Sequence, residues 1–115
     1  VKRVEAIIAS EKVSDLNSAL KAMGVGGCTI LDAKGRGKGE KPLVEAQRGT
    51  ARYTAEFSVR ANVVTVVQDS MVEKVIQTIL DTVSTGSAGD GKIFVSAVID
   101  TIDIGTKSRG EEAIS

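Results

Sequence analysis

The chain predicts an α+β fold in the order β-α-β-β-α-β: a four-stranded antiparallel sheet, two helices on one of its faces, and a long loop between strands 2 and 3. Three observations carry this. Tyr53, Ala55, Phe57, Val59, Ala61 and Val63 alternate with Thr54, Glu56, Ser58, Arg60 and Asn62, the period of a strand with one buried face. Val72, Val75, Ile76, Ile79, Leu80 and Val83 recur at helical spacing. Between strands 2 and 3, Gly35 to Thr50 follows neither period and holds four glycines and Pro42, the only proline.

Taken in order, Lys2 to Ala9 alternates, with Val4, Ala6 and Ile8 on one face, and reads as the first strand. Ser10 to Met23 carries Val13, Leu16, Leu20 and Met23 at helical spacing, with Ser10 or Ser14 as its cap and Gly24 as its stop. Cys28 to Asp32 is the second strand, and Cys28 is expected as a small core residue. The Tyr53 strand runs on to Val67. Ser70-Met71-Val72-Glu73 has the form of a capping box before the second helix. Ile93 to Ile99 is the fourth strand, and Thr101 to Ile104 a short further one. This order matches the ferredoxin-like split βαβ arrangement. Helices on one side leave the other sheet face, with Ile7, Val64 and Val66 or their neighbours, uncovered, which suggests self-association. The reading is one domain over 1–115, with a flexible loop at 36–52, a Gly-rich loop at 85–92 and a polar, mobile tail at 107–115.

Composition narrows the chemistry. Of 115 residues, 15 are basic and 15 acidic, which argues against bulk nucleic-acid or membrane-surface binding. No run approaches a membrane span of about 20 apolar residues, and no apolar leader precedes the first strand. With no histidine and one cysteine, the usual zinc sites, Ser-His and Cys-His nucleophile pairs and an intrachain disulfide are excluded; a reducing, cytoplasmic setting is expected. From Lys34 to Arg60 there are seven basic and three acidic residues, so the long loop is the locally basic part of a neutral chain.

The strongest local signal is Thr85-Gly86-Ser87-Ala88-Gly89-Asp90-Gly91-Lys92-Ile93-Phe94. Three glycines in six residues let successive amides face one concavity, which suits an anion, and Lys92 adds a full charge. Gly86 to Lys92 fits Gly-x-x-x-x-Gly-Lys, but Ile93 replaces the Mg²⁺-binding Ser or Thr of a P-loop, and the order is helix-loop-strand instead of strand-loop-helix. The pattern reads as a phosphate cradle without Walker chemistry, or as a plain Gly-rich connection. Asp90 is either a ligand contact or a turn residue.

These residues resemble the PII nitrogen-regulatory signal proteins. Val4-Glu5-Ala6-Ile7-Ile8 is similar to the family's opening strand, Lys34-Gly35-Arg36-Gly37 to the start of its long loop, and Arg48-Gly49 to a landmark within it. Thr85-Gly86 followed by Gly89-Asp90-Gly91-Lys92-Ile93-Phe94 resembles its most specific signature, and Arg109-Gly110-Glu111-Glu112-Ala113-Ile114 its tail. The resemblance spans the chain. It implies a cytoplasmic homotrimer that binds ATP, ADP or AMP between subunits. It also implies a loop, with Arg36, Lys41 and Arg48 on it, that docks on an ammonium transporter or an enzyme of nitrogen metabolism. By position, Gly89, Asp90, Gly91 and Lys92 would wrap the phosphates. Thr29 and the backbone near Val66 would hold the adenine, and Gly35, Gly37 and Lys38 would close the site.

Three departures qualify what is implied. Gly39 stands where the family has a glutamine that helps hold Mg²⁺ and 2-oxoglutarate, which leaves both in doubt even with Arg60 in place of the family's lysine. Asp103 and Gly105 replace two arginines that reach the neighbour's phosphates, with Lys107 as the candidate substitute. Tyr53, the only tyrosine, lies one residue beyond the position some members modify, and its alternation with Phe57 favours a strand residue. The expected function is regulatory, not catalytic. The alternatives are a nucleotide-dependent sensor of another small anion such as bicarbonate, a weak nucleotide hydrolase using Asp90, and an RNA-binding module. The last lacks the paired aromatics that stack bases.

Overall fold

The computed structural model describes residues 1–36 and 57–114 in full, and the backbone of 43–45 and 52–54. Strand β1 (Lys2–Ala9) is followed by a single 3₁₀ turn and helix α1 (Val13–Ala22), then β2 (Thr29–Gly35). Two three-residue strands, β3 (Leu43–Glu45) and β4 (Arg52–Thr54), pair with each other. Strand β5 (Ser58–Val67), helix α2 (Val72–Val83) and β6 (Gly91–Ala97) complete the fold. The main sheet has the order β2-β5-β1-β6, with every pairing antiparallel. It is the four-stranded ferredoxin-like sheet that the sequence predicts.

The strand period is fixed by one buried face. Val4, Ala6 and Ile8 of β1 sit opposite Thr65, Val63 and Ala61 of β5, and all six are buried. Leu16 and Leu20 of α1 and Val75, Ile79 and Val83 of α2 close over them. Leu80, expected in the α2 stripe, is instead 45% exposed. Cys28 packs against the edge of this core, half-buried.

Helix α1 ends as expected. The Val25 amide donates to the Leu20 carbonyl at 3.0 Å and the Gly24 amide to Lys21 at 3.2 Å, a Schellman closure that needs the positive φ of 97° at Gly24. The helix starts differ from expectation. Neither Ser10 nor Ser14 caps α1, and the Ser70–Glu73 box does not form; no side-chain cap bond is present at either start. Each helix is entered through a 3₁₀ turn, Ser10–Lys12 and Asp69–Met71, so Ser10 and Ser70 lie inside a turn already hydrogen-bonded through backbone, and Ser14 falls within the first turn of α1.

Strand boundaries also move. β2 begins at Thr29 and reaches Gly35, because β5 offers it a partner through Ser58. The strand expected from Tyr53 is divided: its first residues pair with β3, and the sheet strand begins at Ser58. The stretch read as aperiodic therefore contains a strand, β3. The fourth strand spans Gly91–Ala97, and Thr101–Ile104 supplies only a single bridge, Ile102 to Arg109. Among the described residues, no helix is long and apolar enough to cross a membrane.

Candidate functional site

The Gly-rich loop leaves α2 at Ser84 and enters β6 at Gly91. Its amides are turned on the chain's own Asp90. Thr85 donates to the Asp90 carboxylate through both its backbone amide (2.6 Å) and its hydroxyl (2.6 Å), and the Ser87 amide adds a third bond at 3.3 Å. These bonds, the Thr85 hydroxyl's first, hold the Asp90 carboxyl below its ordinary pKa, against a smaller opposing effect of desolvation. The Gly89 amide donates to Ser87 Oγ at 3.2 Å and the Asp90 amide to the Ser87 carbonyl at 3.2 Å. Asp90 thus organises the loop, the turn role that the sequence left open beside ligand contact.

Gly91 is required by close approach. Its φ is 133°, and a Cβ there would lie 2.0 Å from the Ile7 carbonyl oxygen. The missing side chain lets β6 dock on β1 directly behind the loop, which sets Lys92 opposite Ile7 on the face away from the helices. Lys92 is exposed. Arg60 lies on the same face and at the same end, opposite Ala9. Asp90, Gly91 and Lys92 border a cavity of about 330 Å³ whose floor is apolar, from Ile8, Ile79, Val83 and Ile93.

Thr29 and Val66 border a different cavity, of about 560 Å³, beside the Gly24–Cys28 turn. The two cavities share no lining residue. Val66 is opposite Arg3, and Lys92 is opposite Ile7, so the two ends are separated by four residues of β1, about 13 Å. The larger cavity is also lined by Ala113 and Ile114. The tail, read from the sequence as polar and mobile, is folded back here. Arg109 pairs with Asp100, the Gly110 amide donates to the Thr101 carbonyl at 2.9 Å, and a 3₁₀ turn over Gly110–Ala113 brings Ile114 to the cavity wall. The Asp100 carboxyl is lowered by the Arg109 side-chain bond.

The remaining candidates fall into three groups. Gly35 lies at the end of β2, where a Cβ would meet Arg60 Cγ at 3.2 Å. Arg60 is not an open cation: its Nη2 donates to the Gly89 carbonyl at 2.9 Å and its Nε to Ser58 Oγ at 3.1 Å. Asp103 and Lys107 face each other across a tight turn, with the Lys107 amide donating to the Asp103 carbonyl at 2.8 Å and φ 64° at Lys107. Lys107 lines neither cavity. Arg36 is exposed at the end of the described segment. Gly37, Lys38, Lys41 and Arg48 lie outside the described residues, as does the side chain of Tyr53, whose backbone is in β4.

Sequence reasoning missed Ser58, Ala113 and Ile114. The tail motif marks Ala113 and Ile114 without giving them a place; they reach the cavity wall where the Asp100–Arg109 pair and the 3₁₀ turn fold the tail back. Ser58 could be found only from the β2–β5 register, which sets it opposite Gly35.

Comparison with known proteins bears on what this arrangement belongs to. Residues 1–108 match the family model of nitrogen regulatory protein P-II. The chain is 40% identical over 114 residues to a nitrogen regulatory protein P-II of Rhodospirillum rubrum, covering 99% of this chain and 100% of that protein. It is 39% identical over 114 residues to one of Azospirillum brasilense, with the same coverage. Against nitrogen regulatory protein P-II 1 of Methanothermobacter thermautotrophicus the identity is 37%, covering 99% of this chain and 97% of the relative. A ferredoxin-like sheet, a Gly-Asp-Gly-Lys loop closed on its own aspartate and matches along nearly the whole length agree: the chain belongs to the nitrogen regulatory protein P-II family.

Proposed function

We propose that this chain is a nucleotide-responsive regulator of nitrogen metabolism or transport. It binds ATP, ADP or AMP between copies and acts on a target protein, such as an ammonium transporter or a nitrogen-metabolism enzyme, through the segment that leaves β2 at Gly35. One observation carries the reading. The residues suited to a polyphosphate and those suited to a base border separate cavities at opposite ends of the sheet. A nucleotide that uses both kinds of contact does so across a junction of two copies, with Gly89 to Lys92 from one and Thr29 and Val66 from the next. The uncovered sheet face, with Leu31 and Phe94 each about half exposed, is suited to that junction. Three copies in a ring give each cavity pair a partner.

Regulation by binding fits the loop chemistry better than catalysis. The Asp90 carboxylate is committed to Thr85 and Ser87, which leaves it ill-placed to activate water. The reading does not require Mg²⁺ or 2-oxoglutarate, since Gly39 brings no ligand. The test is isothermal titration with ATP, ADP and AMP, each with and without Mg²⁺ and 2-oxoglutarate, alongside native mass spectrometry. The expected result is saturable adenine-nucleotide binding by an assembly of three 12.0 kDa chains. A monomer that gives no heat with any of the three contradicts the reading.

A further inference from the structure

The structure assigns Arg60 and Ser58 a role as positioning residues. They form a relay that reports occupation of the Gly-rich loop at Gly35 and Ser58, the strand ends from which residues 36–57 depart. The part played by a ligand rests on the nucleotide reading above; the relay itself is in the fold. Arg60 Nη2 donates to the Gly89 carbonyl at 2.9 Å, and Arg60 Nε donates to Ser58 Oγ at 3.1 Å. The Ser58 hydroxyl in turn donates to the Gly35 carbonyl at 3.3 Å. One guanidinium therefore joins the start of β5 to the Gly-rich loop, 29 residues on from Arg60 at Gly89. Gly35 and Ser58 are the last opposed pair of the β2–β5 ladder, so the final bond lies where sheet gives way to loop.

Three features make this a device and not three unrelated contacts. A guanidinium holds its donors in a fixed planar fork, so Nε and Nη2 move together; a lysine ammonium has no such geometry. The Ser58 hydroxyl accepts from Arg60 while it donates to Gly35, so each bond polarises the next. The Arg60 stem rests on Gly35, where a Cβ would come within 3.2 Å of Arg60 Cγ. An anion seated at the Gly-rich loop offers the guanidinium a charged acceptor in place of the neutral Gly89 carbonyl, and a charge-assisted bond is the stronger one. Turning toward the anion draws Nε from Ser58 and releases the Ser58 bond to Gly35. The loop's occupancy then becomes a change in how the strand ends are held.

Hydrogen exchange read by mass spectrometry tests this on peptides covering 29–36, 57–62 and 85–92, in wild type, Ser58→Ala and Arg60→Lys. Without ligand, Ser58→Ala should speed exchange at 29–36 about fivefold, the factor set by one lost hydrogen bond, and leave 85–92 unchanged. Arg60→Lys should speed exchange at both. With saturating ADP, wild type should change at 85–92 and at the strand ends together, whereas Ser58→Ala should keep the first change and lose most of the second. Ligand-free variants that exchange as wild type does overturn the relay, and so does a Ser58→Ala protein whose strand ends respond to ADP fully. Wild type that shows no response to ADP anywhere, with both variants loosened as expected, leaves the relay standing and removes the nucleotide reading.

Discussion

The two faces of the sheet are written by the same alternation but finished differently. On the helix side, Val4, Ala6 and Ile8 meet Thr65, Val63 and Ala61 under two helices, and the chain covers them itself. On the other side, Arg3, Glu5 and Ile7 meet Val66, Val64 and Asn62 with nothing above them among the described residues. There Arg3 pairs with Glu5 (3.3 Å), Asn62 Nδ2 donates to Glu5 at 3.0 Å, and Phe94 and Leu31 flank the cluster, about half exposed. The first face teaches how the chain folds. The second leaves apolar groups in water and a buried Asn62 Oδ1 without a partner among the described residues.

Substitutions at increasing distance from the covered face should sort by size. Gly91→Ala should be the most damaging, on the order of 4 kcal/mol or more, because a methyl cannot coexist with the Ile7 carbonyl and β6 must leave β1. Urea unfolding measures it; a wild-type midpoint would mean that the β1–β6 approach is not tight. Ile8→Ala on the helix side should cost about 2–5 kcal/mol through lost burial and the cavity left behind. Phe94→Ala on the other face should lower subunit stability by no more than about 1 kcal/mol, since half of the ring is already exposed, yet weaken assembly at micromolar protein. Sedimentation at several concentrations separates the two effects. Equal losses from Ile8→Ala and Phe94→Ala would erase the distinction between the faces.

The smallest effect is the pH response of the Gly-rich loop. The Asp90 carboxyl is lowered in the fold, so its contribution is complete above the ordinary carboxylate pKa and fades as pH falls through the lower folded value. Exchange protection at 85–92 should therefore persist to about the ordinary aspartate pKa and be lost only below it. Asp90→Asn, which cannot ionise, should abolish that acid transition while leaving the rest of the sheet's profile in place.

Most of the fold was legible because burial on one side imposes a period. β1, β5 and α2 show it over eight or more residues, and Gly24 announces the end of α1 by the conformation it alone adopts readily. The β3–β4 ribbon was not legible, since three residues carry no period and the intervening glycines and charges read as loop. The Ser70 box misled because its pattern is satisfied equally by a 3₁₀ entry, where backbone bonds replace the side-chain cap. For the site, the Gly-rich loop and Lys92 stood out through composition. That its amides close on Asp90 depends on the turn from Thr85 to Asp90 and could be weighed only as an alternative. Arg60 was visible as a charge, but its hold on Gly89 comes from strand order, which places β5 and the start of β6 on either side of β1.

The central claim is that the Gly-rich loop with Lys92 grips the charged part of an adenine nucleotide. Titrating ADP and ATP into wild type and Lys92→Ala, each at the same oligomeric state, tests it most directly. Lys92 is exposed and on the uncovered face, so its loss should spare the fold. A lost charge-assisted contact of about 1.5–3 kcal/mol predicts at least a tenfold weaker affinity for both nucleotides. Superimposable titration curves for the two proteins would contradict it.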